Sequence, residues 1–157
     1  MKKVFRIFLI LLLLIGVVKA ENTVLTGSVS MVPKSFYGTW RVSSNLIDTD
    51  SDQIFKNFGI DLWNLSRNND VIILTNPFNG AKAEIKIDRV EDNNVIFMKT
   101  GKYGNKVLTD IVEIKITQET FKGTDKLRLD TYVDGKIMKT ETATYSIKGE
   151  RIAGDVY

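Results

Sequence analysis

The chain contains neither cysteine nor histidine. Without cysteine no disulfide can staple the fold, so packing and strand pairing must hold it. Without histidine, Ser/His/Asp and Cys/His nucleophilic centres, histidine proton shuttles and the usual zinc shells are ruled out. Carboxylates are plentiful, but none is placed as an acid with its base, so no enzymatic activity, no catalytic residue, no cofactor and no metal is expected. Asp48, Asp50 and Asp52 have the spacing that opens a calcium loop, yet Gln53 and Gly59 stand where its Gly and its bidentate Glu belong. These carboxylates read instead as N-cap oxygens for a short helical segment.

What the sequence does have begins with a leader. Lys2, Lys3 and Arg6 precede an apolar run from Ile7 to Val18, and Val18-Lys19-Ala20 fits a small-residue cleavage site, so residues 1–20 read as a secretory signal peptide. The run falls short of the about 20 residues that a membrane span needs. Of 22 basic residues against 19 acidic, the leader takes four basic ones (Lys2, Lys3, Arg6, Lys19) and no acidic ones, which leaves 18 against 19. The basic balance therefore belongs to the leader and is no argument for a nucleic-acid partner. Export places the remainder in the periplasm or outside the cell.

Residues 21–35 are polar and small, with Pro33 near their end, and are expected to form an extended lead-in. Residues 36–157 then form one domain of alternating β-rich runs and turns. The pattern predicts eight strands over 37–46, 60–67, 71–76, 82–90, 95–100, 107–117, 125–133 and 136–147. Asp134-Gly135 between two such runs is the strongest hairpin signal. Ala83, Ile85 and Ile87 alternate with Glu84, Lys86 and Asp88, and Val112, Ile114 and Ile116 with Glu113, Lys115 and Thr117, so each strand has one buried face. In the last strand Ile137, Ala143, Tyr145 and Ile147 share a face with Lys139 and Glu141, which leaves its register open. The longest connection, 47–59, carries Ile54, Phe55 and Phe58 at helical spacing and predicts a short helical segment covering apolar surface.

Short connections leave no room for helical crossovers, so the fold class is all-β: an eight-stranded antiparallel up-and-down barrel around one small interior. A meander puts the connections after strands one, three, five and seven at one end. These carry Phe55, Phe58, Phe78 and Tyr103, as the mouth of a ligand cavity would. The other end gathers Gly38, Trp40 and Arg151. A guanidinium over the indole there is a cation–π contact of about 0.5–2 kcal/mol.

The stretch Phe36-Tyr37-Gly38-Thr39-Trp40 resembles the Gly-x-Trp motif that opens the first strand of lipocalins, and Arg151 stands where that family sets an Arg over the Trp. Gly123-Thr124-Asp125, between the sixth and seventh strands, resembles the family's Thr-Asp-aromatic motif, with Lys126 in place of the aromatic. Because six residues follow Arg151, the family's helix after the barrel has no counterpart, and a minimal lipocalin-like or calycin barrel is implied.

For a hollow barrel the wall would be Val42, Trp63, Ile73, Ile87, Phe97, Val112, Leu129 and Tyr145, with Phe55, Phe58, Phe78 and Tyr103 at the rim. Such a pocket would take a small hydrophobic or amphipathic molecule, with no stable membrane insertion after leader cleavage. An outer-membrane barrel is disfavoured because the outward rows carry Lys, Glu, Asp or Arg. The alternative is a barrel filled by its own side chains that acts on a protein partner through its open-end loops.

Overall fold

The computed structural model describes residues 27–154. The leader over 1–20 and its cleavage site lie outside the described residues. Eight strands follow in order: β1 (Gly38–Thr49), β2 (Phe58–Asn68), β3 (Val71–Thr75), β4 (Lys82–Glu91), β5 (Asn94–Tyr103), β6 (Lys106–Ile116), β7 (Thr120–Val133) and β8 (Lys136–Ala153). Each pairs antiparallel with the next, and β8 returns to β1, so the sheet closes into an up-and-down barrel. Closure leaves no free strand edge.

Alternation sets the strands. Along β6, Asp110, Val112, Ile114 and Ile116 are buried, while Ile111, Glu113 and Lys115 are exposed. The turn after β7 bends through Asp134 (φ 50°) and Gly135 (φ 75°). Two consecutive positive φ angles match the right-handed twist of the flanking strands, which is why Asp-Gly serves here.

Several expectations need correction. The lead-in is not extended over its described part: Val29–Met31 and Lys34–Phe36 form two short 3-10 turns, and Val32 and Phe36 are buried in the core. Apolar side chains at this spacing plug the barrel end, which an extended strand could not do. The first connection contains a single hydrogen-bonded turn, closed by the Ile54 and Phe55 amides donating to the Ser51 carbonyl, and no helix. Asp50 does not cap it; its carboxylate accepts from the Thr142 amide (2.8 Å) and hydroxyl (2.9 Å) and ties the connection to β8. Residues Thr120–Thr124, expected in a loop, are the first part of β7, so Gly123-Thr124-Asp125 lies in the barrel wall. Finally, β8 runs past Gly149 to Ala153, because that glycine makes room for the Phe121 ring rather than a turn; a Cβ there would sit 2.1 Å from Phe121 Cε1.

The closed half of the barrel is solid. Trp40 packs on Phe121 (5.1 Å between centroids), Phe121 stacks on Trp63 (5.9 Å, 24°), Trp63 meets Phe97 edge-on (6.3 Å) and Phe97 meets Phe36 (5.6 Å). Edge-on and offset pairs of this kind add about 0.5–1.5 kcal/mol each beyond the area they bury. Arg151 lies over the Trp40 ring, 4.1 Å from its centroid. Its Nη1 donates to the Tyr37 carbonyl (2.7 Å), its Nε to the Gln118 carbonyl (2.9 Å) and its Nη2 to that of Ser35. One side chain thereby joins the 3-10 plug, the β6–β7 turn and the floor of the barrel.

Candidate functional site

Above the aromatic column the inward rows change character. In β2 the row that carries Trp63 and Leu65 continues to Asp61; in β5 the row of Val95 and Phe97 continues to Lys99; in β6 that of Val112 and Ile114 continues to Asp110. In β7 Asp125 lies inward, opposite Val112 on one side and Tyr145 on the other. Strand alternation forces each of these ionisable side chains into the barrel, because moving any one to the solvent face would expose the whole apolar row.

Their partners are incomplete. Lys99 is ion-paired with Asp110, its cross-strand neighbour. Asp61 accepts from the Trp63 indole N–H (3.2 Å), from its neighbour's backbone N–H at Leu62 (2.8 Å) and from Asn76 Nδ2. Asp110 and Asp125 are only 3% and 8% exposed, yet Oδ1 of each has no hydrogen-bond partner. Burial raises the Asp125 carboxyl from 3.8 to about 6 despite the opposing field of Lys99. Burial also lowers the Lys99 ammonium below its usual range, against the fields of Asp125 and Asp61. Burial disfavours the charged form of both groups.

A cavity of about 210 Å³ opens beside this group, lined by Asp61, Trp63, Leu74, Asn76, Ala83 and Asp110 among others. Asn79 and Ala81 from the β3–β4 connection and Tyr103 from the end of β5 also line it, which puts it at the end of the barrel opposite Arg151. A second, more open cavity of about 230 Å³ lies between Ser44, Lys56, Phe58, Gly59, Asp125, Leu127 and Tyr145. Tyr145 is anchored there by donating to the Lys56 carbonyl (2.9 Å). At the rim, Glu141 accepts from Ser51 (2.7 Å) and Lys139 (2.6 Å), and those hydrogen bonds, the Lys139 one foremost, hold its carboxyl below the usual range. Ser51 begins the turn that buries Phe55, so this contact fastens the first connection over the mouth.

The residues chosen from sequence are dispersed by the structure. Trp63 and Tyr103 line the first cavity, and Phe58 and Tyr145 the second. Val42, Ile87, Phe97 and Val112 face inward but are packed in the solid core and line neither cavity. Leu129 is buried between Leu108 and Glu141. Phe55 is buried beneath the first connection, whereas Phe78 projects from the β3–β4 turn at 84% exposure. Ile73 is a correction: Ile72 and Leu74 face inward, so Ile73 lies on the outer face, opposite Ser66. Asp61, Asn76, Lys99, Asp110 and Asp125 were missed. A signal for four of them exists: each stands an even number of positions from an inward apolar residue of its own strand, Lys99 two beyond Phe97 and Asp110 two before Val112.

Among the described residues no group of His, Cys, Asp and Glu is arranged to hold a metal ion. No helix among them is long and apolar enough to cross a membrane. Comparison with protein-family models, with curated proteins and with solved structures finds no match.

Proposed function

We propose that this chain is an exported, lipocalin-like barrel that binds a small amphipathic molecule in the cavity at its mouth. The observation that carries the reading is that cavity: about 210 Å³, walled by Trp63, Leu74, Ala83 and Leu108 and set with Asp61, Asn76, Lys99 and Asp110. A few convergent polar groups on an apolar wall are the usual make-up of a ligand site. The volume lies below the ~300 Å³ at which drug-sized pockets begin, so the occupant is small and a long acyl chain does not fit. Export rests on the leader, and the lipocalin likeness on Gly38, Trp40 and Arg151. The exposed outer side chains of Lys86, Glu113, Lys115, Lys122 and Lys148 speak against a wall that faces lipid.

A second reading, a filled barrel acting on a protein partner through its open end, is favoured by the solid aromatic half and by Phe78 on its exposed turn. Ala83→Leu separates the two. Titration of the protein with phenethyl alcohol, followed by tryptophan emission, is expected to give a saturable change from Trp63, which lines the cavity. Ala83→Leu fills the cavity and is expected to abolish the change. A variant that responds as wild type does, or a wild type silent to phenethyl alcohol and to its amine and acid counterparts alike, refutes the cavity reading and favours the filled barrel.

A further inference from the structure

We infer that the occupant of the mouth cavity carries a cationic nitrogen, an ammonium on a short apolar or aromatic body, set against Asp61 and Asp110 with its body on Trp63 and Tyr103. The inference rests on the cavity being a ligand site and adds the chemistry of the ligand.

Its basis is what the site is short of. The two buried side-chain atoms without a partner in the upper barrel, Oδ1 of Asp110 and Oδ1 of Asp125, are both acceptors. Three donors nearby are already engaged: Lys99 with Asp110, and the Trp63 indole and Asn76 amide with Asp61. A buried acceptor left unmatched costs about 1–3 kcal/mol, more when it is charged. Lys99 is the ammonium paired with Asp110, and that pairing leaves Oδ1 of the carboxylate unmatched. Lys82 and Asp61 also line the cavity, both exposed at its rim, where water and salt screen their charges. A carboxylate ligand would bring a further negative charge, and no donor, to the unmatched oxygen of Asp110. An ammonium brings donors and positive charge together, and two aromatic rings line the same cavity, where a cation over a ring face is favoured.

Three probes that share one body and differ in charge test the inference: phenethylamine, phenethyl alcohol and phenylacetate, each titrated calorimetrically into the protein at neutral pH and low salt. The amine is expected to bind about tenfold or more tightly than the alcohol, with the acid weakest, since a charge-assisted hydrogen bond replaces a neutral one. Asp110→Asn is expected to remove most of that preference, the amine losing far more affinity than the alcohol. Asp61→Asn is the second variant: Asp61 is exposed at the mouth, and asparagine keeps an acceptor for the Trp63 indole, so the test survives if Asp110→Asn does not fold. Alcohol or acid binding as tightly as the amine overturns the inference and leaves the cavity reading standing. Failure of all three probes at millimolar concentration overturns both.

Discussion

Replacing Asp125 by asparagine should make the protein more stable, and only above a defined pH. Its carboxyl sits opposite Val112 and Tyr145, where burial pushes it up from 3.8 to about 6 against the opposing field of Lys99. A folded-state pKa above the unfolded one means that the folded chain binds this proton more tightly. The favourable contribution is complete below the unfolded value and is lost as pH rises through about 4 to about 6. A difference of about 2 pKa units corresponds to about 3 kcal/mol. Asparagine retains the shape and never ionises. The carboxyls of Asp50, Asp130, Glu141 and Glu150 are held low by hydrogen bonds and contribute the opposite slope: stability present above their unfolded values and lost as pH falls. That slope is common to both proteins and cancels in their difference. Urea unfolding of wild type and Asp125→Asn at intervals between about pH 4 and pH 8 should therefore give similar stabilities at the acid end. The variant should lead by up to about 3 kcal/mol at pH 8, with the gap opening near pH 5–6. A difference independent of pH, or a variant less stable at pH 8, refutes the claim that Asp125 is a buried carboxylate short of partners.

Arg151→Met removes the cation–π contact and three hydrogen bonds to backbone carbonyls, and is expected to cost about 2–4 kcal/mol in urea unfolding. A loss under about 0.5 kcal/mol would show that the plug holds without it. Gly149→Ala drives a methyl group into the Phe121 ring; a loss of about 1–3 kcal/mol is expected, partly restored when Phe121→Leu is added, and strict additivity of the two changes would refute the clash. Glu141→Gln loosens the Ser51 contact that fastens the first connection, so the amides of Ile54 and Phe55, bonded to the Ser51 carbonyl, should exchange faster with solvent. Unchanged exchange there would show that the turn is held by Phe55 burial alone.

The strands, their order and their inward rows were legible because β-structure is written locally. Period-two alternation marks a face, and Asn, Asp and Gly mark the turns; Ala83, Ile85 and Ile87 on β4 needed no knowledge of any other strand. The neighbourhood of Trp40 and Arg151 was legible for the same reason, since a meander fixes which ends meet. Ile73 went astray because β3 has five residues, all apolar but the last, and a continuous apolar run carries no phase. β8 outruns its expected end at residue 147 because glycine marks both turns and close packing, and the ring that Gly149 accommodates comes from another strand.

The site needed the tertiary structure. Asp61, Lys99, Asp110 and Asp125 lie on four strands, and along each strand they look like the polar members that any alternating pattern contains. That they stand inward follows from counting, but that they stand inward together, short of donors beside a cavity, follows only from closure of β1 on β8 and the register of every pair between. The sequence by itself therefore determined eight strands and a barrel's two ends. Whether the barrel is hollow, and what its mouth is short of, depended on how side chains from distant strands share one small interior volume, which no local pattern encodes.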